Sequence, residues 1–180
     1  MKLNATRLRY WDSCVFLKWL LDEEGADVIQ GLLQTLRDQD EAKPDIQIVT
    51  SVLTLTEVAY AANEKKQRRL DPETEQRIDH LWDVPYIVVV DLNRRVARQA
   101  RQLVRRSIEA RREDGSTPKI LSWPDSIHMA TAEWVRRHLA RKAELDEFYT
   151  YDGDLLTTYA ELLPEIQFTE PYIANPRLFD

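Results

Sequence analysis

The chain has 180 residues, 43% of them hydrophobic, a formal net charge of −6 and one cysteine, Cys14. That length can bury a core without disulfides or structural metal, and a single thiol excludes both an internal disulfide and a multi-cysteine zinc site. The longest apolar runs, such as Ile87-Val88-Val89-Val90, are far too short to span a bilayer, and no apolar signal region follows Lys2 and Arg7, so the expectation is a cytoplasmic protein of one domain over 1–180, with its core over 7–169 and a tail over 170–180.

In chain order, residues 7–12 predict a first strand that ends on an acid, Asp12. The spacing of Val15, Phe16, Trp19 and Leu20 predicts a helix over 13–21, broken at Gly25. A second helix is expected over 27–37, with Val28, Leu32, Leu33 and Leu36 inward, then a polar loop over 38–45 containing Pro44. Residues 46–50 read as the second strand. Ser51 can cap the helix after it, which carries Leu53, Leu55, Val58, Ala59 and Ala62, while 63–70 is charged and expected to be exposed. Asp71-Pro72 is a helix start, an N-cap followed by proline, for a helix to about Trp82. Residues 86–90 are apolar and β-branched throughout, as in a strand buried on both faces of a parallel sheet. A long helix over 92–112 puts Val96, Ala100, Leu103 and Val104 on one side and Arg94, Arg98, Arg101 and Arg105 on another, before a break at 114–118. Ser122-Trp123-Pro124-Asp125 opens a helix through Ile127, Ala130, Thr131, Trp134 and Val135 to about Arg141. Residues 148–151 read as a short strand, Asp152-Gly153-Asp154 turns into a helix with Leu155, Leu156, Tyr159 and Leu162, and 167–169 is a last strand. This alternation predicts an α/β fold with a central, mostly parallel sheet flanked by helices.

Net acidity counts against a purely electrostatic nucleic-acid binder, but the charge is uneven. Residues 94–119 hold nine basic and three acidic residues, a local balance of +6, whereas 146–180 hold eight acids and one base. Such polarity suits a surface that holds a phosphate backbone or an acidic partner, with Arg94, Arg98, Arg101 and Arg105 as its candidates. Trp11, Trp19, Trp82, Trp123 and Trp134 are scattered and make no stacking platform. No glycine-rich phosphate loop is present.

Four acids stand where chemistry could gather. Asp12 and Asp152 follow strands, where open α/β sheets bind ligands, although the first can equally be an N-cap and the second an Asp-Gly turn. Asp125 sits three residues after the cap Ser122, where the helix dipole favours a carboxylate. Glu57 completes a capping-box spacing with Thr54, but with Ser51 as the cap it lies too deep in the helix for that role. Together the four would repel one another unless a divalent cation joined them. Oxygen donors alone favour Mg²⁺ or Mn²⁺, and such a cation can bind a phosphate oxygen and activate water against phosphorus. His80, His128 and His138 make no metal spacing. His128 reads as a satisfied helix residue, and Cys14 reads as core.

Tyr10-Trp11-Asp12-Ser13, the stretch from Ser51 to Glu57, the Asp-x-x-x-x-Ala-x-Ala of Asp125 to Ala132, and Thr150-Tyr151-Asp152-Gly153-Asp154-Leu155 together resemble the PIN-domain ribonucleases, including the VapC-type toxins of toxin–antitoxin pairs. The resemblance implies a PIN-like three-layer fold with the first strand central. It implies a Mg²⁺- or Mn²⁺-dependent endoribonuclease, often a homodimer, with Asp12, Glu57, Asp125 and Asp152 as its acids. Thr150 matches a supporting hydroxyl, Ser13 stands where the family has Thr or Ser, and Asp154 is a further supporting acid. RNA is the implied substrate and an antitoxin protein a candidate partner. The chain exceeds a typical toxin at 38–45, 63–70, 105–121 and 170–180. Two rivals carry over: a phosphatase with Asp12 as nucleophile, for which the Asp-x-Asp at 152–154 is at the wrong end of the chain, and a PIN-like module that binds RNA or protein without cutting.

Overall fold

The computed structural model describes residues 7–39, 44–66, 72–109, 119–139 and 143–173, with 62–66 described by backbone alone. The cap at Asp71, the break at 114–118, the inward side chain of Ala62, the side chains of 63–70, the helix end at 110–112 and the tail from 174 lie outside the described residues.

Five strands form one sheet: β1 (Arg7–Trp11), β2 (Ile46–Ser51), β3 (Ile87–Val90), β4 (Glu144–Tyr149) and β5 (Gln167–Thr169). Their order is β3-β2-β1-β4-β5, with β1 central and every pairing parallel. Parallel neighbours need crossovers, and helices supply them: α1 (Ser13–Leu20) and α2 (Ala26–Arg37) lead to β2, α3 (Val52–Lys66) and α4 (Pro72–Leu81) to β3, α5 (Arg94–Glu109) and α6 (Trp123–Trp134) to β4. This is the expected α/β class. Among the described residues no helix is long and apolar enough to cross a membrane.

Side-chain alternation along β1 divides the core into two layers. Leu8 and Tyr10 point to the layer covered by α5 and α6, with Leu103, Met129, Ala130 and Phe148. Trp11 points to the other layer, with Phe16, Ile29, Leu33 and Tyr149 beneath α1 and α2. The two-residue period also puts Asp12, just past the strand, on the side of Tyr10. In α5, Val96, Ala100 and Leu103 are buried while its arginines face out. α5 and α6 pack closely; Gln99 bonds Glu133, and Leu121 N–H bonds Ser107 Oγ, so the two helices run antiparallel.

Four local expectations are corrected. The strand expected at 148–151 runs instead over Glu144–Tyr149, because pairing with β1 outweighs the low strand propensity of Glu144, Asp146 and Glu147. Arg9 Nε bonds Glu147 Oε2 at 2.8 Å and its guanidinium covers the Tyr149 ring, so one of those charges is answered inside the sheet. The helix expected from Leu92 begins at Arg94, because Asn93 Oδ1 accepts the Arg95 and Val96 N–H groups as a cap. Past Trp134 the helix widens into a π-turn, Val135–Leu139. The helix after Asp152 is likewise a π-turn, Leu155–Tyr159, followed by a 3-10 turn, Ala160–Leu162.

Beyond β5 the chain continues as an ordered strap. Tyr172 Oη donates to Glu147 Oε1 at 2.5 Å, and Ile173 packs over Gly31 of α2. Only the part of the expected tail past residue 173 lies outside the described residues.

Candidate active site

The site gathers at the C-terminal edge of the sheet, around Asp12. Asp12 is only 4% exposed. Asp12 is the N-cap of α1, and its Oδ1 accepts the Ser13 N–H at 2.7 Å, with Ser13 Oγ farther off at 3.5 Å. Its Oδ2 accepts the Thr150 hydroxyl at 2.9 Å and the Cys14 thiol at 3.3 Å. The capping reading is therefore true, and the same carboxylate is also buried with both oxygens held.

Thr150 links two of the acids. Its Oγ1 donates to Asp12 and accepts the Asp152 N–H at 3.0 Å. Asp152 Oδ1 in turn accepts the N–H groups of Asp154 at 2.7 Å and Leu155 at 3.2 Å, which caps the following turn. Asp154 is turned elsewhere: its carboxylate pairs with Lys119 at the surface.

Asp125 arrives on the first turn of α6. Ser122 Oγ accepts the Asp125 N–H and donates back to Asp125 Oδ2 at 2.5 Å. Burial, then the neighbouring carboxylates of Asp12 and Asp152, hold the Asp125 carboxyl above its ordinary range, against the opposing pull of Ser122 and His128.

Glu57 reaches in from α3. Ser51 caps that helix, its Oγ accepting the Leu53 N–H at 3.2 Å, and Thr54 bonds Thr50 rather than forming a capping box. Glu57 Oε2 lies 2.6 Å from His128 Nε2, and that same nitrogen stands 3.6 Å from Asp12 Oδ1. His128 Nδ1 meets the Tyr10 hydroxyl at 2.8 Å. Burial alone would lower the His128 pKa, but the carboxylates of Asp12, Glu57 and Asp125 outweigh it and hold the value above the ordinary one. Burial, then Asp12 and Glu57, push the Tyr10 hydroxyl well up, so it remains an O–H.

The structure thus brings Asp12, Glu57, Asp125 and Asp152 around one strand end, with Ser13 and Thr150 bonded to Asp12. It leaves Asp154 outside, and it places Arg94, Arg98, Arg101 and Arg105 on the exposed face of α5, where Arg98, Arg101 and Arg105 line a shallow groove with Gln102. Among the described residues no three His, Cys, Asp or Glu side chains stand close enough to hold a metal ion as placed. Each of the four carboxylates has a protein hydrogen-bond donor on at least one oxygen: Ser13 and Thr150 on Asp12, His128 on Glu57, Ser122 on Asp125, and the Asp154 and Leu155 amides on Asp152. The donor set itself suits a hard divalent cation, being oxygen-rich and mutually repulsive.

Two residues of this cluster, His128 and Cys14, have no site role in the sequence reading. His128 is the satisfied helix residue expected, but its partners make it a hub of the site; Cys14 packs against the core, and its thiol also touches Asp12 and Thr150 and accepts the Tyr151 N–H at 3.2 Å. Burial, then Asp12, raise that thiol well above its ordinary pKa. The available signal was periodicity. Tyr10 and Asp12 are two apart along a strand, and Asp125 and His128 are three apart along a helix, so each pair shares a face.

A family model described as PIN domain matches residues 9–161. No curated protein matches the chain. Among solved structures, the chain is similar to Mycobacterium tuberculosis VapC20, described as a sarcin–ricin-loop-cleaving toxin, with 13% identity and a TM-score of 0.57 over 86% of this chain and 94% of that one. It is similar to VapBC2 from Rickettsia felis bound to a promoter DNA fragment, with 12% identity and a TM-score of 0.57 over 91% and 98% of the two chains. It is also similar to VapBC-1 from nontypeable Haemophilus influenzae, with 13% identity and a TM-score of 0.55 over 91% and 97%. At these identities the likeness establishes the fold.

Proposed function

The chain belongs to the PIN-domain family, and from that premise we propose that it is a divalent-metal-dependent endoribonuclease. The observation that carries this reading is the gathering of carboxylates at the end of the central strand, where Thr150 Oγ1 links Asp12 to the Asp152 amide and His128 Nε2 lies 2.6 Å from Glu57 and 3.6 Å from Asp12. Asp12, Asp125, Asp152 and Glu57 would hold the cation, Mg²⁺ or Mn²⁺ by the hardness of their oxygens. When bound, it offsets the carboxylate repulsion and acts as a Lewis acid on the phosphodiester.

The chain's own residues do the rest. Thr150 and Ser13 orient Asp12 through its two oxygens. The amides of Asp154 and Leu155 orient Asp152, leaving its second oxygen for the site. Arg94, Arg98, Arg101 and Arg105 offer cations to the RNA backbone. We further propose, as the resemblance in its sequence implies, that the protein is a homodimer and the toxin partner of an antitoxin protein, and that it acts in the cytoplasm.

Asp12→Asn keeps the size and the acceptor that caps α1 but removes the charge. It should abolish Mn²⁺-dependent cleavage of single-stranded RNA. Unchanged cleavage overturns the site, and a wild-type protein that binds RNA without ever cutting it makes this a binding module instead. For the toxin role, induction of the protein alone should arrest growth, and co-expression of the neighbouring gene should relieve the arrest.

A further inference from the structure

His128 is 1% exposed, on a helix whose Met129 and Ala130 belong to the hydrophobic core with Phe148. A buried imidazole is costly unless both nitrogens are satisfied, and an apolar side chain of like size would pack there without that demand. Both nitrogens are satisfied, and by groups that belong together. Nδ1 meets the Tyr10 hydroxyl at 2.8 Å, and Nε2 meets Glu57 Oε2 at 2.6 Å. Among the described residues, Glu57 has no other hydrogen-bonding partner. The ring also lies edge-on to Tyr10, 6.0 Å between centroids, which fixes its plane as well as its end. Glu57 comes from a helix that touches α6 only lightly, and its carboxylate is the partly exposed member of the pair. The packing of α3 against α1 brings Glu57 to this end of the sheet, and His128 is what orients its carboxylate there.

We propose that His128 is a positioning residue: gripped at Nδ1 by the Tyr10 hydroxyl, it presents Nε2–H to Glu57 and so sets where that carboxylate stands relative to Asp12 and the cation. The inference rests on the metal-dependent reading above and adds to it a support built from β1, α3 and α6. Such supports behind metal ligands typically change affinity tenfold to a hundredfold when removed.

The test uses the full chain and Mn²⁺ alone, with free Mn²⁺ read by electron paramagnetic resonance and folding read by thermal melting. His128→Leu keeps the volume and deletes both hydrogen bonds; it should weaken Mn²⁺ binding by about tenfold or more. His128→Gln carries an N–H at the reach of Nε2 and should restore most of the affinity, which a purely packing role would not produce. Tyr10→Phe removes only the hydroxyl behind the ring and should fall between them. Wild-type affinity in folded His128→Leu overturns the positioning role alone. Should His128→Leu not fold, Tyr10→Phe decides: weakened Mn²⁺ binding supports the role and unchanged binding overturns it. A wild-type protein that takes up no Mn²⁺ overturns both this role and the metal-dependent reading, whatever its activity on RNA.

Discussion

Asp12 shows how one residue can satisfy two demands. Its Oδ1 caps α1 and its Oδ2 takes the Thr150 hydroxyl, so the fold needs an acceptor here whether or not chemistry follows. Asp125 separates the two demands more sharply. Its cap partner Ser122 would bond an amide oxygen equally well, while its charge sits in the field of Asp12 and Asp152. A carboxyl whose folded pKa lies above its unfolded one adds stability only below the unfolded value and loses it as the pH climbs through the folded value. At neutral pH the ionised group therefore burdens the metal-free fold. Asp125→Asn should stabilise the metal-free protein at pH 7 by about 0.5–1 kcal/mol in urea unfolding. The gain should vanish as the pH falls below the ordinary carboxylate range, and Mg²⁺ should raise the melting temperature of wild type more than that of the variant. A destabilised variant would show that Asp125 is structural.

At the scale of elements, the start and stop signals were mostly legible because they are local. Ser122 before Trp123-Pro124 caps α6 as expected, and Ser51 caps α3. β4 was read too short at its start because Glu144, Asp146 and Glu147 carry no strand signal of their own; the pairing with β1 and the Arg9–Glu147 bond that justify them are long-range. Two glycines test how the connections are built. Gly25, ahead of α2, has φ +90° and its missing Cβ would meet Tyr151 Oη at 3.0 Å. Gly25→Ala should cost about 1–2 kcal/mol, the price of a left-handed L-residue. Gly31 lies within α2, where the missing Cβ would meet only the tip of the exposed Ile173 side chain. That tip can swing away, so Gly31→Ala should gain about 0.5 kcal/mol from helix propensity. Thermal melting of the two variants should move in opposite directions.

For the whole molecule, the uneven charge has a place in the fold. The net −6 coexists with a helix whose Arg94, Arg98, Arg101 and Arg105 side chains all face solvent. Among the described residues none of the four has a carboxylate within ion-pair distance, so the face is free to meet an external anion. If it tracks RNA, replacing Arg98 and Arg101 together by Ala should weaken binding to single-stranded RNA and flatten the salt dependence by about 0.7 in log–log slope per lost phosphate contact. The melting temperature should stay where it is, since both side chains are exposed. An unaltered slope would mark the face as merely solvated.

The sequence by itself determined the alternation of strands and helices, the placing of Asp12 after the first strand, and the caps that start α3 and α6. These follow from propensity, periodicity and hydrogen bonds over a few residues. Tertiary structure alone decided that His128 would bridge Glu57 and Tyr10, partners 71 and 118 positions away, and that Cys14 would lie against Asp12 and Thr150. It also decided that Asp154 would turn to Lys119 rather than join Asp152. The physical reason is the same in each case. A polar side chain buried away from water takes whichever donor or acceptor the packed elements bring within about 3 Å, and that choice is made only when the sheet has closed around the central strand.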